Sequence, residues 1–164
     1  MPPVLDIGDL FDAHAPYLLR VAERLTGSAA TAEDIIQEVF LVAWRRRGEL
    51  SDDGQLRGWL YQVVVNRVRH HQRASARLHR FLTEYPPPSV EQTPEGTLHR
   101  RQQAKQIRRC VLRLPMPQRE VFVLYELEEL EGAAIAEILN IPLSTVWSRL
   151  RLARARFQRT WERS

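Results

Sequence analysis

The sequence predicts an all-α protein of two small helical domains joined by a proline-rich linker, the second domain carrying two helices on a tight turn. Three observations predict this. Apolar residues recur at helical spacing over long segments. Pro86, Pro87, Pro88 and Pro94 crowd one stretch where that spacing fails. Asn140 and Pro142 interrupt an otherwise helical run between Gly132 and Arg156. The resulting boundaries are 1–82, 83–96 and 97–164.

The first helix is expected from Asp9 to Leu25, where Phe11, Leu18, Val21, Ala22 and Leu25 keep helical spacing, and Thr26, Gly27 and Ser28 end it. The second has Thr31 as its expected N-cap and Glu33 and Asp34 in a first turn that favours anions. Arg45, Arg46 and Arg47 fall in a last turn that favours cations, and Gly48 closes it. Its core face is Ile35, Val39, Val42 and Ala43, joined by Ile36 and Phe40, while Asp34, Gln37 and Glu38 share an outer face. The third helix is expected from Leu56 to about Arg80, burying Leu56, Trp59, Leu60, Val63, Val64 and Val68. Tyr61, Gln62, Asn66, Arg67, Arg69, His70 and Arg73 populate its other faces.

After the linker, a helix is expected from Thr97 to Leu114, and Pro115, Met116 and Pro117 break it. The apolar run Val121, Phe122, Leu124, Tyr125 and Leu127 packs behind the last two helices, its far end kept acidic by Glu126, Glu128, Glu129 and Glu131. Between Gly132 and Leu139 the chain makes a short amphipathic helix, and Asn140 tolerates the left-handed turn that ends it. Pro142 is harmless at a helix start, so a last helix runs from about Leu143 to Trp161 with Val146, Leu150, Ala153 and Phe157 facing inward. This pair is a helix-turn-helix pattern, and its second helix and tail carry Arg149, Arg151, Arg154, Arg156, Arg159 and Arg163 against Glu162.

The formal net charge of +4 is unevenly spread. Residues 1–60 carry −4, residues 61–80 carry +5 with no acid, and residues 132–164 carry +4. Two basic blocks, each after a more acidic segment, point to two contacts with a polyanion and an acidic surface left for another partner. In the third helix, aromatic and amide groups interleave with arginines, as single-stranded DNA recognition requires: rings for stacking, edges for bases, guanidinium groups for phosphates. A half-buried Trp and Tyr beside a solvated basic face is the competing account.

Enzymatic chemistry finds no constellation. The five histidines form no ligand set, no Glu-x-x-His pair accompanies the carboxylates, and no phosphate loop or nucleophile elbow occurs, so neither a metal nor any other cofactor is expected. The single cysteine, Cys110, lies on an apolar stripe and is expected to be a buried thiol. No apolar stretch is long enough to cross a bilayer, and MPPVLDIGDLFD lacks the order of a signal peptide, so a cytoplasmic location without membrane insertion is expected.

Two motifs then coincide. AEDIIQEVFLVAW from Ala32 to Trp44, followed by RGWLYQVVVNRV from Arg57 to Val68, and the segment Leu114 to Arg156 resemble the extracytoplasmic-function (ECF) class of bacterial sigma-70-type sigma factors. The resemblance implies a subunit without catalysis of its own that binds core RNA polymerase and directs it to promoters. A stand-alone helix-turn-helix transcriptional regulator is the alternative. It further implies that Asp34, Gln37 and Glu38 dock the β′ clamp helices, and that Tyr61, Gln62, Asn66, Arg69, His70 and Arg73 capture the −10 element. Ser144, Thr145, Trp147, Ser148, Arg149 and Arg151 would read the −35 major groove, with the acidic and apolar back of the second domain meeting the β flap. Promoter DNA and an anti-sigma factor are the other partners it implies. Trp147 stands where many members carry Lys or Arg, and Leu152 where many carry Arg; an indole would offer apolar contact to thymine methyls or a backbone wedge.

Overall fold

In the computed structural model, residues 6–51, 54–81 and 98–163 are described. Among them the chain forms seven α-helices and one π-helical turn, with no strand. The chain divides into two compact units, Met1–Ser89 and Val90–Ser164. The predicted linker, 83–96, lies outside the described residues.

The first unit packs three helices, α1 Ile7–Thr26, α2 Ala29–Arg45 and α3 Leu56–Phe81. The Asp6 carboxylate caps α1, accepting from the Gly8 and Asp9 amides at 2.7 and 3.3 Å. Gly27 ends the helix at φ 76°, which costs a glycine little, and sends the chain straight into α2. Ser28, not Thr31, caps α2: its Oγ accepts from the Thr31 amide at 3.2 Å, and the Thr31 hydroxyl donates to the same Oγ. Both residues suit a cap, and the earlier one wins because Ala29 and Ala30 extend the helix readily. Glu33 and Asp34 therefore lie beyond the first turn, and the helix closes at Arg46 rather than at Gly48.

Leu18, Val21 and Leu25 of α1 meet Ile35 and Val39 of α2 and Leu60, Val64 and Val68 of α3 in a fully buried core. Each such side chain contributes about 1.5–3 kcal/mol of transfer free energy. The buried face of α3 is rotated from the predicted one. Tyr61 and Val65 are buried, whereas Trp59 and Val63 are half-buried, as is Val42 of α2.

The second unit contains α4 Leu98–Leu112, α5 Met116–Phe122, a π turn Val123–Leu127, α6 Gly132–Leu139 and α7 Leu143–Glu162. Cys110 is buried here, as its apolar stripe requires. The break at Pro115 is a junction in which α5 begins at once, with Pro117 in its first turn. Arg119 secures that junction by donating to the Leu112 carbonyl, which the end of α4 leaves open, and to the Leu114 carbonyl beyond it, at 2.6 and 3.0 Å. Burial lowers the pKa of its guanidinium, with neighbouring Glu120 acting in the opposite sense.

Among the described residues, two that are not glycine have positive φ, both near the helix-turn-helix: Asn140 at 52°, which ends α6, and Glu129 at 56°. Asparagine is suited to that conformation and glutamate is not; for an ordinary L-residue it costs roughly 1–2 kcal/mol. Glu129→Gly is therefore expected to stabilise the second unit by about 1 kcal/mol, raising its melting temperature by a few degrees. A fall in melting temperature would show that the Glu129 side chain contributes more than its backbone strain costs.

Candidate nucleic-acid interface

Helix α7 presents one face to its own unit through Val146, Leu150 and Ala153, all buried, and leaves the opposite face open. Ser144, Ser148 and Arg151 follow that open face and are exposed. Thr145 and Arg149 lie half-buried on one flank. Trp147 lies on the other flank and is 44% exposed, but its ring is drawn back onto the unit. It meets Tyr125 edge-on with centroids 5.6 Å apart. Five of the six expected −35 residues therefore form one patch, and the sixth packs against the body of the unit.

The six residues expected at the −10 element divide in the same way. At about 100° per residue, Gln62, Asn66, Arg69, His70 and Arg73 fall within one sector of α3. Asn66, His70 and Arg73 are exposed, and Gln62 and Arg69 half-buried. Tyr61 departs from the expectation. It is 1% exposed, its ring 5.3 Å from that of Tyr17, and its hydroxyl accepts from Arg57 Nη2 at 3.3 Å. The physical reason is packing: Tyr17 of α1 and Tyr61 of α3 bury each other's rings, while Arg57 covers both, 4.8 and 5.7 Å from their centroids. The aromatic residue that does share the polar sector is half-buried Trp59, seven residues before Asn66 and so on the same face two turns earlier. Arg46 lies 5.6 Å from its ring.

On α2, Asp34 and Gln37 are exposed as expected, whereas Glu38 is turned toward α3. Its carboxylate pairs with His71 Nε2 at 2.9 Å and Arg67 Nη1 at 3.4 Å, which makes it an internal tie as well as a surface acid. The same outer face carries two apolar residues absent from the expected site, Leu41 at 54% and Trp44 at 52% exposure. Their helical spacing from Asp34 and Gln37 is present in the sequence, where the neighbouring charges overshadow it. Glu38, Leu41, Arg45, Arg67, His70 and His71 line a pocket between α2 and α3. Among the described residues no group of three His, Cys, Asp or Glu side chains could hold a metal ion, and no helix is long and apolar enough to cross a membrane.

A helical unit with an arginine-rich helix-turn-helix, preceded by a three-helix unit with one basic and one acidic-apolar face, defines a DNA-binding protein of the transcription apparatus. Residues 10–78 match the family model of sigma-70 region 2, and residues 104–157 match that of sigma-70 region 4. The chain belongs to the sigma-70 family, in its ECF class. It is similar to the ECF RNA polymerase sigma factor SigW of Bacillus subtilis, 29% identical over 156 residues, covering 89% of this chain and 83% of that protein. SigM of Mycobacterium tuberculosis is likewise 29% identical, over 150 residues, covering 92% of this chain and 74% of SigM. In fold it resembles the sigma factor RpoE from Bartonella quintana, solved in complex with the anti-sigma factor NepR, with a TM-score of 0.80 and 20% identity over 94% of this chain and 96% of that one. The protein is thus a non-enzymatic initiation factor that directs RNA polymerase to promoters, and the region 2 match decides against a stand-alone helix-turn-helix regulator.

Proposed function

We propose that the two units divide the work of initiation among four surfaces. The outer face of α2 docks core polymerase at the β′ clamp helices through Asp34, Gln37, Leu41 and Trp44, with Glu38 at its border. The polar sector of α3 captures the −10 element. Gln62 and Asn66 offer hydrogen bonds to base edges, Arg69, His70 and Arg73 meet phosphates, and Trp59 in place of Tyr61 supplies a ring for an unpaired base. Extruded bases recover in stacking and edge contacts much of what unpairing costs.

The open face of α7 enters the −35 major groove, where Arg151 is placed for base edges and Thr145 and Arg149 for the flanking backbone. The acidic and apolar back of the second unit meets the β flap. The protein acts in the cytoplasm, where core polymerase and promoters are, and an anti-sigma factor holds it inactive, as the partner solved with the B. quintana protein supports. The observation that carries this assignment is the segregation within one small unit: acids with exposed Leu41 and Trp44 on α2, basic and amide groups on α3.

Run-off transcription tests it. Added to sigma-free core polymerase on a panel of promoters, the chain is expected to give specific initiation. Tight binding to duplex DNA without any association with core would overturn the assignment.

A further inference from the structure

Trp147 lies on the helix read above as the −35 helix, yet its environment is that of a packing residue. A Cβ built on Gly132 would stand 2.6 Å from both Cζ2 and Cη2 of the indole, closer than carbon atoms approach. The six-membered ring therefore rests on the bare backbone of the first residue of α6, a seat that only glycine leaves open. Tyr125 meets the same indole edge-to-face, with an interplanar angle of 81°.

Tyr125 is itself held from two directions. It sits in the π turn Val123–Leu127, whose wider winding shifts the side chains after it relative to an α-helix. The Arg154 guanidinium lies 5.4 Å from its ring centroid and also pairs with Glu126 of the same turn. One indole of α7 thus touches both the π turn and the start of α6.

The geometry points to Trp147 as a positioning residue for DNA recognition: a strut, seated on Gly132 and braced by Tyr125, that sets the angle between α6 and α7. Base edges are then read by Ser144, Ser148 and Arg151, and the thymine contact expected of an exposed indole is not its role. This rests on the reading of α7 as the −35 helix. The indole is well placed for the task because it is rigid and has contacts with both Gly132 and Tyr125. Losing it lets α7 tilt and weakens every groove contact together, whereas losing a base-reading side chain removes preference at one position.

The test compares Trp147→Ala, Trp147→Phe, Gly132→Ala and the double variant Gly132→Ala/Trp147→Ala in the full chain with core polymerase. The template is one on which the unaltered chain initiates, with every −35 base pair substituted in turn. Trp147→Ala is expected to lower initiation about tenfold and to flatten preference at several −35 positions, with Trp147→Phe recovering part of the loss through Tyr125. Gly132→Ala, far from the base-reading line, is expected to cost a similar factor alone and nothing further in the Trp147→Ala background, because the clash has gone. Loss of preference at a single base pair in Trp147→Ala, or multiplicative losses in the double variant, would overturn the strut. Thermal melting of the unaltered chain, Trp147→Ala, Gly132→Ala and the double variant gives a second cycle that needs no promoter. Coupling of the two positions in stability supports the strut even if the unaltered chain fails to initiate, an outcome that would instead remove the promoter assignment; additive stability effects would count against the strut.

Discussion

Replacing Asp34 with Lys is expected to weaken association with core polymerase by about tenfold or more while leaving the melting temperature of the first unit unchanged. Asp34 is exposed on the outer face of α2, so the substitution reverses a charge at the proposed interface without disturbing the core. Glu38 is a poorer probe. Its carboxylate ties α2 to α3 through His71 and Arg67, so reversal there would also place like charges against each other inside the unit. Leu41→Ala is the uncharged counterpart, since a partner that covers this exposed leucine removes its apolar surface from water. The two losses should respond differently to salt. The Asp34→Lys defect shrinks as ionic strength screens it, and the Leu41→Ala defect persists. Competition binding to core polymerase against an unaltered sigma factor measures both, and full retention of core by both variants would remove α2 as the docking surface.

How much of the fold and its surfaces is legible in the sequence depends on whether the deciding force is local. Helix positions come from periodicity, and the turn at Asn140 and Pro142 from backbone preferences that act within a few residues. The departure at Tyr61 arises where periodicity is silent. From Leu60 to Val65 every residue except Gln62 is apolar or aromatic, so several rotations of α3 bury comparable area. Tyr17, 44 positions earlier in the chain, decides between them. The choice of Ser28 over Thr31 is a contest between two suitable caps three residues apart. The π turn has no signal at all, because one residue more per hydrogen-bonded ring leaves no mark in composition. Trp147 shows the same limit: its seat is an absent side chain at Gly132, and only the folded backbone brings together the two residues that share the space.

The fate of Tyr61 carries the second large expectation. Tyr61→Ala would leave a cavity beneath Arg57 and Tyr17, and deleting a fully buried aromatic ring costs about 3–5 kcal/mol. That is a large share of the roughly 5–15 kcal/mol that stabilises a small domain, so the variant should melt early and lose core binding and promoter opening together. Asn66→Ala should behave in the opposite way. Asn66 is exposed on the polar sector of α3, so its loss should leave melting temperature and core binding intact while lowering permanganate reactivity of unpaired −10 thymines, on the order of tenfold. Trp59→Ala should resemble Asn66→Ala in that assay, because its ring shares the Asn66 face. If Tyr61→Ala melted normally and failed only in opening, the ring would have to leave its pocket on meeting DNA. The contrast between two residues five positions apart on one helix therefore separates what holds α3 in place from what α3 offers to the separated strand.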